Sequence, residues 1–498
     1  MGTAPTRPAP SRTAAAVAAL LSALLVLACA PVIAGTAGRY LVPEGATLAA
    51  GVRVVGRLPL VDSLVVTSAR PPAGAVDLGA PLGWRSLPPK ADDSGRRVDT
   101  GVASTSATDA WATTRGERAV VALIDTGVAP IPALDGAVAG EIDFSGTGGG
   151  DGYGHGTFMA SLIAARSDVA PGVAPAAGVL SLKVGRPDGS TDLGIVLAAL
   201  QWLHGPGRAA GIRVAALALG VDADTAAARV LDRAVERLAR DGVLVVTAVG
   251  NDGPSAVTSP ATAVGGLSVG ALDDHGTASM SDDSPAPFSG TGDDRRGTPQ
   301  PDIAAAGVDI VGRLPADSVI ARSYPTAEVE PGLFRGSGTS MSTALVAGVA
   351  ALASSARPDL DGHALQAALR SAGRRVDAPA AVAAAMAAAE HPGPGNGPGG
   401  GNGPGNGHGN GPGGGNGNGP GGTPPVEPNA VQWRAVQWRA VQWRAVQWRG
   451  DHWGDSDWSL ASWGAVQWRG YWSGQALVDL QHRAVHWRAV RWAMRPTR

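Results

Sequence analysis

An α/β fold, a doubly wound parallel sheet covered on both faces, is predicted by three features of this sequence. Apolar runs of strand length alternate with helical patterns between residues 119 and 311. The runs are almost unbroken in apolar side chains, as in parallel strands buried on both faces. Two polar residues, Asp125 and Asn251, stand at the C-terminal ends of such runs, where open α/β sheets place their sites.

The chain has 498 residues, room for two or three domains, but 72 Gly and 38 Pro show that it is not uniformly globular. Residues 1–37 carry Arg7 and Arg12 ahead of an apolar run, 14–34, and small residues close the segment. This reads as a secretory signal, with an uncleaved N-terminal anchor as the rival. The single cysteine, Cys29, lies inside that run, so the remaining chain has no disulfide. Leu27 fits a lipid-attachment pattern at Cys29 poorly.

Residues 38–105 form a separate N-terminal region. Within it, VRVVGRLPLVDSLVVTS (52–68) alternates in polarity around a Leu-Pro turn, which predicts two strands. The stretch 92–106 is polar and turn-rich, so processing is expected between about residues 89 and 106.

The region 106–390 carries the α/β pattern. Strands are predicted at 119–124, 178–184, 214–219 and 243–247, with shorter apolar segments at 266–270 and 308–311. A helix over 192–204 places Leu193, Val196, Leu197, Leu200 and Leu203 on one face, and a second covers 225–240. The small-residue stretch 341–354 predicts a buried helix opening just after Ser340.

Residues 391–425 are almost pure Gly, Asn and Pro. They predict a flexible linker with a mean span of roughly 30–35 Å. In 426–498, Trp recurs every five residues from Trp433 to Trp468, often followed by Arg, as at Arg434, Arg439, Arg444 and Arg449. Five residues turn a helix by about 140° and flip the face of a strand, so no single stripe forms. Short strands or an unfolded chain displaying Trp-Arg pairs are expected, suited to anionic, apolar-containing surfaces such as a cell envelope. The formal net charge of −2 gives no basis for a nucleic-acid partner.

Chemistry concentrates in four blocks: VVALIDTG (120–127), GYGHGTFMAS (152–161), GVLVVTAVGNDG (242–253) and GSGTSMSTALVAG (336–348). Each alone reads as a turn, a loop or a helix cap. A serine hydroxyl is a poor nucleophile without a base, and Asp125, His155 and Ser340 supply acid, base and nucleophile in one of the convergent triad orders. Together the blocks resemble those of the subtilisin-like serine peptidases, and the resemblance spans about residues 110–373.

That resemblance implies the following roles. Ser340 attacks a peptide carbonyl, His155 takes and returns its proton, and Asp125 orients the imidazole. Asn251 and the Ser340 N–H hold the oxyanion. Substrate pairs as an extended strand with 188–191, through Gly189 and Ser190, and with Ala218, Leu219 and Gly220; Ala248, Val249 and Gly250 wall the pocket before the cut. The N-terminal region resembles the closing part of the family's propeptides, with a permanent subdomain as the alternative.

Three positions depart from the family pattern: Phe158 in place of His, Ser342-Thr343-Ala344-Leu345 in place of Ala-Thr-Pro-His, and Ala218 in place of Ser. His155 and Asn251 exclude the related family that uses Glu and Asp there.

No cofactor is required. Structural calcium would have the acid pairs Asp273-Asp274 and Asp293-Asp294, which read better as solvated loops. Lys183, in mid-strand, reads as a sheet residue with a buried stem. No HExxH, Cys-x-x-Cys or phosphate-loop motif competes. The expected protein is a secreted or envelope-associated endopeptidase of polypeptides. The alternative is an envelope-binding protein that uses a protease-like scaffold.

Overall fold

A computed structural model describes residues 37–84, 101–277 and 279–389. The signal or anchor segment, the Gly/Asn/Pro linker and the Trp repeats lie outside the described residues.

Chain order begins with a four-stranded antiparallel sheet, β1 (Gly38–Pro43), β2 (Arg53–Leu58), β3 (Ser63–Ser68) and β4 (Val76–Asp77), in the order β2-β3-β1-β4. Its β2–β3 hairpin turns at the Leu-Pro step, where a single 3-10 turn, Pro59–Val61, inserts between the strands. Strand β5 (Pro81–Leu82) leads out of this unit. The short helix α1 (Ala107–Ala110) opens the larger body.

Next come β6 (Val120–Asp125), β7 (Val138–Asp143), α2 (His155–Ala164), β8 (Gly178–Lys183), β9 (Thr191–Asp192), α3 (Leu193–Trp202) and β10 (Val214–Leu217). After β11 (Val221–Asp222) follow α4 (Ala226–Arg240), β12 (Leu244–Ala248), β13 (Thr258–Ser259), β14 (Leu267–Asp273), β15 (Ser284–Pro285), the hairpin β16 (Gly292–Asp293) and β17 (Pro299–Gln300), and β18 (Ile303–Ala306). The chain ends with β19 (Ile310–Arg313), α5 (Val319–Ser323), β20 (Glu328–Glu330), β21 (Leu333–Gly336), α6 (Thr339–Ala356), α7 (Gly362–Ser371) and α8 (Ala378–Ala387).

The main sheet has eight strands in the order β15-β14-β12-β10-β6-β8-β7, with β18 also on β14; every pairing except β14–β15 is parallel. Helices α2, α6, α7 and α8 cover one face and α3 and α4 the other, which explains the near-continuous apolar strands. Helix α6 is apolar and long enough to cross a membrane, yet it is buried between the sheet and α8. The predicted segment 308–311 does not join the main sheet. It forms β19, which pairs antiparallel with β21 and so returns the chain to Ser340.

The N-terminal sheet shares the α3/α4 core: Leu41, Leu60, Val65, Leu78 and Leu82 are buried with Leu197, Leu200 and Leu231. Carbonyls of Ala80 and Leu78 accept from the N–H groups of Leu193 and Gly194 at 2.9 and 2.8 Å. These are helix-start donors that have no partner within α3 itself.

Residues 101–105 sit with the larger body rather than with this sheet. Val102 and Thr105 are buried, and the Thr105 carbonyl accepts from Ala378 N. Backbone packed in this way is a poor processing site, so of the expected window 89–106 the part from residue 101 onward is closed to cleavage.

Candidate active site

Strand β6 delivers Asp125 as its last residue, and α2 begins on His155. The Asp125 carboxylate accepts from His155 Nδ1 at 2.8 and 2.9 Å and from Thr126 N at 2.7 Å. Both side chains are 1% exposed, so little water competes for the pair. With the proton on Nδ1, Nε2 presents a lone pair, as a general base must. Nε2 is buried and has no hydrogen-bond partner among the described residues.

The Gly-His-Gly spelling has a steric cause. Gly154 adopts φ 110°, and a Cβ on Gly156 would lie 2.1 Å from the Gly127 carbonyl oxygen. Asp151 fixes the start of α2 by accepting from Gly154 N, Thr157 N and Thr157 Oγ1 at 2.7–2.8 Å. Burial pushes its carboxyl above the ordinary aspartate range, and these donors pull against that shift.

Ser340 is the second residue of α6 and is buried. Its hydroxyl donates to the Ala218 carbonyl at 3.2 Å rather than to His155. Asn251 Oδ1 accepts from Thr339 N and Thr339 Oγ1, both at 2.9 Å. A backbone N–H can only donate, so the atom facing it is the oxygen, and Nδ2 is the donor end of the amide on its other side. The N–H groups of the first turn of α6 lie beside it.

A second layer ties the two loops of the dyad together. Lys183, at the end of β8 and in register with Asp125, is 2% exposed. Its Nζ donates to the Thr126 carbonyl at 3.1 Å and to the Gly150 carbonyl at 2.6 Å. Glu141 on β7 accepts from Val128 N, Gly150 N and Ser181 Oγ at 2.9, 2.7 and 2.8 Å. Gly150 is thus held at its N–H by an anion and at its carbonyl by a cation, and the same two side chains hold the turn after Asp125. Lys183 has the buried stem expected of it, and its ammonium has a role the strand pattern does not display. Glu141 gave no signal, because β7 carries no apolar run.

The expected substrate cleft is occupied by the chain itself. β5 pairs antiparallel with β9, Leu82 opposite Thr191, and Gly83 exchanges both backbone hydrogen bonds with Gly220 at 3.2 and 3.0 Å. The pairing edge is Thr191–Asp192; Gly189 and Ser190 form the turn that leads into it, with Gly189 at φ 82° against the Tyr153 ring. Trp84 is buried, its ring centroid 6.0 Å from that of His155 and 6.4 Å from that of Tyr153. Ala218 and Leu219 are buried beside Ser340. Ala248 ends β12, Val249 is buried, and Gly250 at φ 99° presses on Thr258, where a Cβ would lie 2.8 Å away.

Among the described residues, no group of three or more His, Cys, Asp or Glu is placed to hold a metal. Asp273 and Asp274 are not solvated: both are buried and cap the turn that follows β14, accepting from His275 N and Gly276 N. Asp293 is exposed as expected.

Comparison with known proteins identifies the family. The model of the Subtilase family matches residues 116–411. Serine protease AprX of Bacillus subtilis (strain 168) is 36% identical over 262 residues, 50% of this chain and 59% of that protein. Thermostable alkaline protease of Halalkalibacterium halodurans is 30% identical over 269 residues, 53% and 64% of the two chains. Subtilisin BL of Lederbergia lenta is 33% identical over 250 residues, 49% of this chain and 78% of that protein. The chain therefore spans less than two thirds of the first two relatives.

Proposed function

The chain belongs to the subtilase family, and from that premise we propose that it is a secreted serine endopeptidase acting through Asp125, His155 and Ser340. The observation that carries the reading is the buried Asp125–His155 pair, which leaves Nε2 buried and unengaged among the described residues.

In the reaction, Ser340 Oγ leaves the Ala218 carbonyl, donates its proton to His155 Nε2 and attacks the substrate carbonyl. Asp125 stabilises the imidazolium without taking its proton. The tetrahedral oxyanion accepts from Asn251 Nδ2 and Ser340 N–H, and His155 then protonates the leaving amine. Water resolves the acyl-enzyme by the same steps. No step calls for a metal or cofactor. Calcium, where it binds, is structural.

A second reading concerns residues 38–84. Their exit strand fills the cleft, so this unit acts as an inhibitor in cis until the chain is cut beyond Trp84. The Trp/Arg tail is assigned to contact with the cell envelope.

The test is hydrolysis of casein together with labelling by a fluorophosphonate. Ser340→Ala, His155→Ala and Asp125→Ala each lose nearly all turnover, because triad members act as a unit. Wild-type turnover in Ser340→Ala would refute the assignment. A wild-type protein that neither labels nor cleaves would leave the envelope-binding scaffold as the better reading.

A further inference from the structure

We propose that a recess at one edge of the main sheet is a docking site for the protein's own C-terminal tail. It takes one Trp-Arg unit from the VQWR repeats at 431–449. The inference does not depend on the peptidase reading.

β18 lies on the outer side of β14, and residues 374–376 run along its other edge. There Ala304 N donates to the Arg374 carbonyl at 2.7 Å and Val376 N to the Ala304 carbonyl at 2.8 Å. Between this crossing and the loop that follows β14 lies a recess of about 260 Å³. Leu272, Met280, Pro301 and Ile303 give it apolar walls, and Asp283, Arg374 and Arg375 supply its polar groups. At ~30 Å³ of liquid per water, that is room for about nine waters, or for a side chain of about ten non-hydrogen atoms. Neither the triad nor Asn251 lines it.

Its polar groups are only half satisfied. Arg375 Nε donates to Asp283 Oδ2, yet Asp283 Oδ1 and Arg375 Nη1 are buried with no hydrogen-bond partner among the described residues. The Asp283 side chain is 4% exposed. A ligand that fits brings a donor to Oδ1, an acceptor to Nη1 and an apolar body to the walls. Tryptophan does all three: its indole is a large apolar plate with one N–H, and the main-chain carbonyl beside it is the acceptor.

Charge favours the residue that follows. Burial pushes the Asp283 carboxyl up, the Arg375 ion pair pulls against it, and the charges of Asp274 and Asp282 add to the rise. An added cation at the mouth, where Asp282 is exposed, relieves that crowding of acids. Each VQWR unit has Arg directly after its Trp.

The tail can reach the site. Residues 376–389, ten of them in α8, follow Arg375 and carry the chain at most about 30 Å away. The linker 391–425 spans roughly 30–35 Å on average. A tether whose mean span matches the gap holds its end near the highest effective concentration, about millimolar. Weak individual contacts therefore suffice for docking within one chain.

The test uses the full chain carrying Ser340→Ala, which prevents self-cleavage, and Arg374→p-benzoylphenylalanine at the exposed rim. Illumination is expected to join position 374 to a segment within 431–449. A free peptide with the sequence AVQWRAVQWRA of residues 430–440 is expected to halve the yield at about 1 mM, the concentration it must match. A Trp→Phe peptide keeps the ring but loses the donor and competes about 10-fold less well. A Trp→Ala peptide leaves the yield unchanged. Absence of any product with 431–449 overturns the inference. Products that join light to heavy chains in an isotopic mixture show a second copy as the occupant and overturn docking within one chain. Equal competition by the Phe peptide overturns the contact between indole and Asp283.

Discussion

Replacing Lys183 by Met keeps the hydrocarbon stem and removes the buried ammonium that grips Thr126 and Gly150. Two charge-assisted hydrogen bonds, each worth about 1.5–3 kcal/mol net, are lost, and two buried carbonyls lose a donor. Against this, the folded protein no longer desolvates a cation, a penalty of several kcal/mol. Global stability therefore changes by only about 1–3 kcal/mol. The catalytic effect is larger than that balance, because Thr126 N also donates to Asp125 Oδ1 and Gly150 precedes the turn that carries His155. A displacement of about 1 Å in such a dyad costs about 10²-fold.

The expected result is kcat/KM down 10- to 100-fold by about that argument, with KM within about twofold. Glu141→Gln weakens the same clamp from the other side. Since both side chains hold Gly150, the double variant deviates from additivity by about 0.5–3 kcal/mol. The assay is steady-state hydrolysis of a peptide p-nitroanilide, with thermal unfolding followed in parallel. Retention of kcat/KM within twofold in Lys183→Met, or strict additivity with Glu141→Gln, would refute the clamp.

Asn251→Ala removes the side-chain oxyanion donor and is expected to lower kcat by about 10²–10³ with little change in KM, a magnitude taken from subtilisin; an unchanged kcat would assign the oxyanion to other donors. Gly83→Pro deletes the N–H that donates to the Gly220 carbonyl and should weaken inhibition by the released N-terminal unit about 5- to 150-fold, from about 1–3 kcal/mol for one lost buried pairing, as measured by the inhibition constant on mature enzyme. Truncation after Glu390 should preserve peptide hydrolysis while lowering retention on envelope fragments at low salt; equal retention of the two forms in a pull-down rules out the anchoring role.

The local sequence determined a good deal of this protein. Near-continuous apolar runs located β6, β8, β10 and β12 within a residue or two, because parallel strands buried on both faces favour apolar side chains on either side of the sheet. The glycines around His155 and Ser340 were readable for a related reason: Gly156 and Gly154 stand where a Cβ meets Gly127 or Ser318, a constraint written into residue type. Tertiary structure decided the rest. Glu141 and Lys183 cooperate only because β7 and β8 are neighbours in the sheet, Glu141 opposite Ser181 and Asp143 opposite Lys183, a pairing between residues 40 positions apart in the chain that no local pattern encodes. The segment 308–311 is apolar at all but Asp309, yet its Ile310 and Val311 pair with β21, since partner choice depends on which edge the returning chain meets. The course of residues 81–84 through the cleft was equally hidden: main-chain hydrogen bonds to Thr191 and Gly220 are open to almost any residue type, so they leave no mark in the sequence.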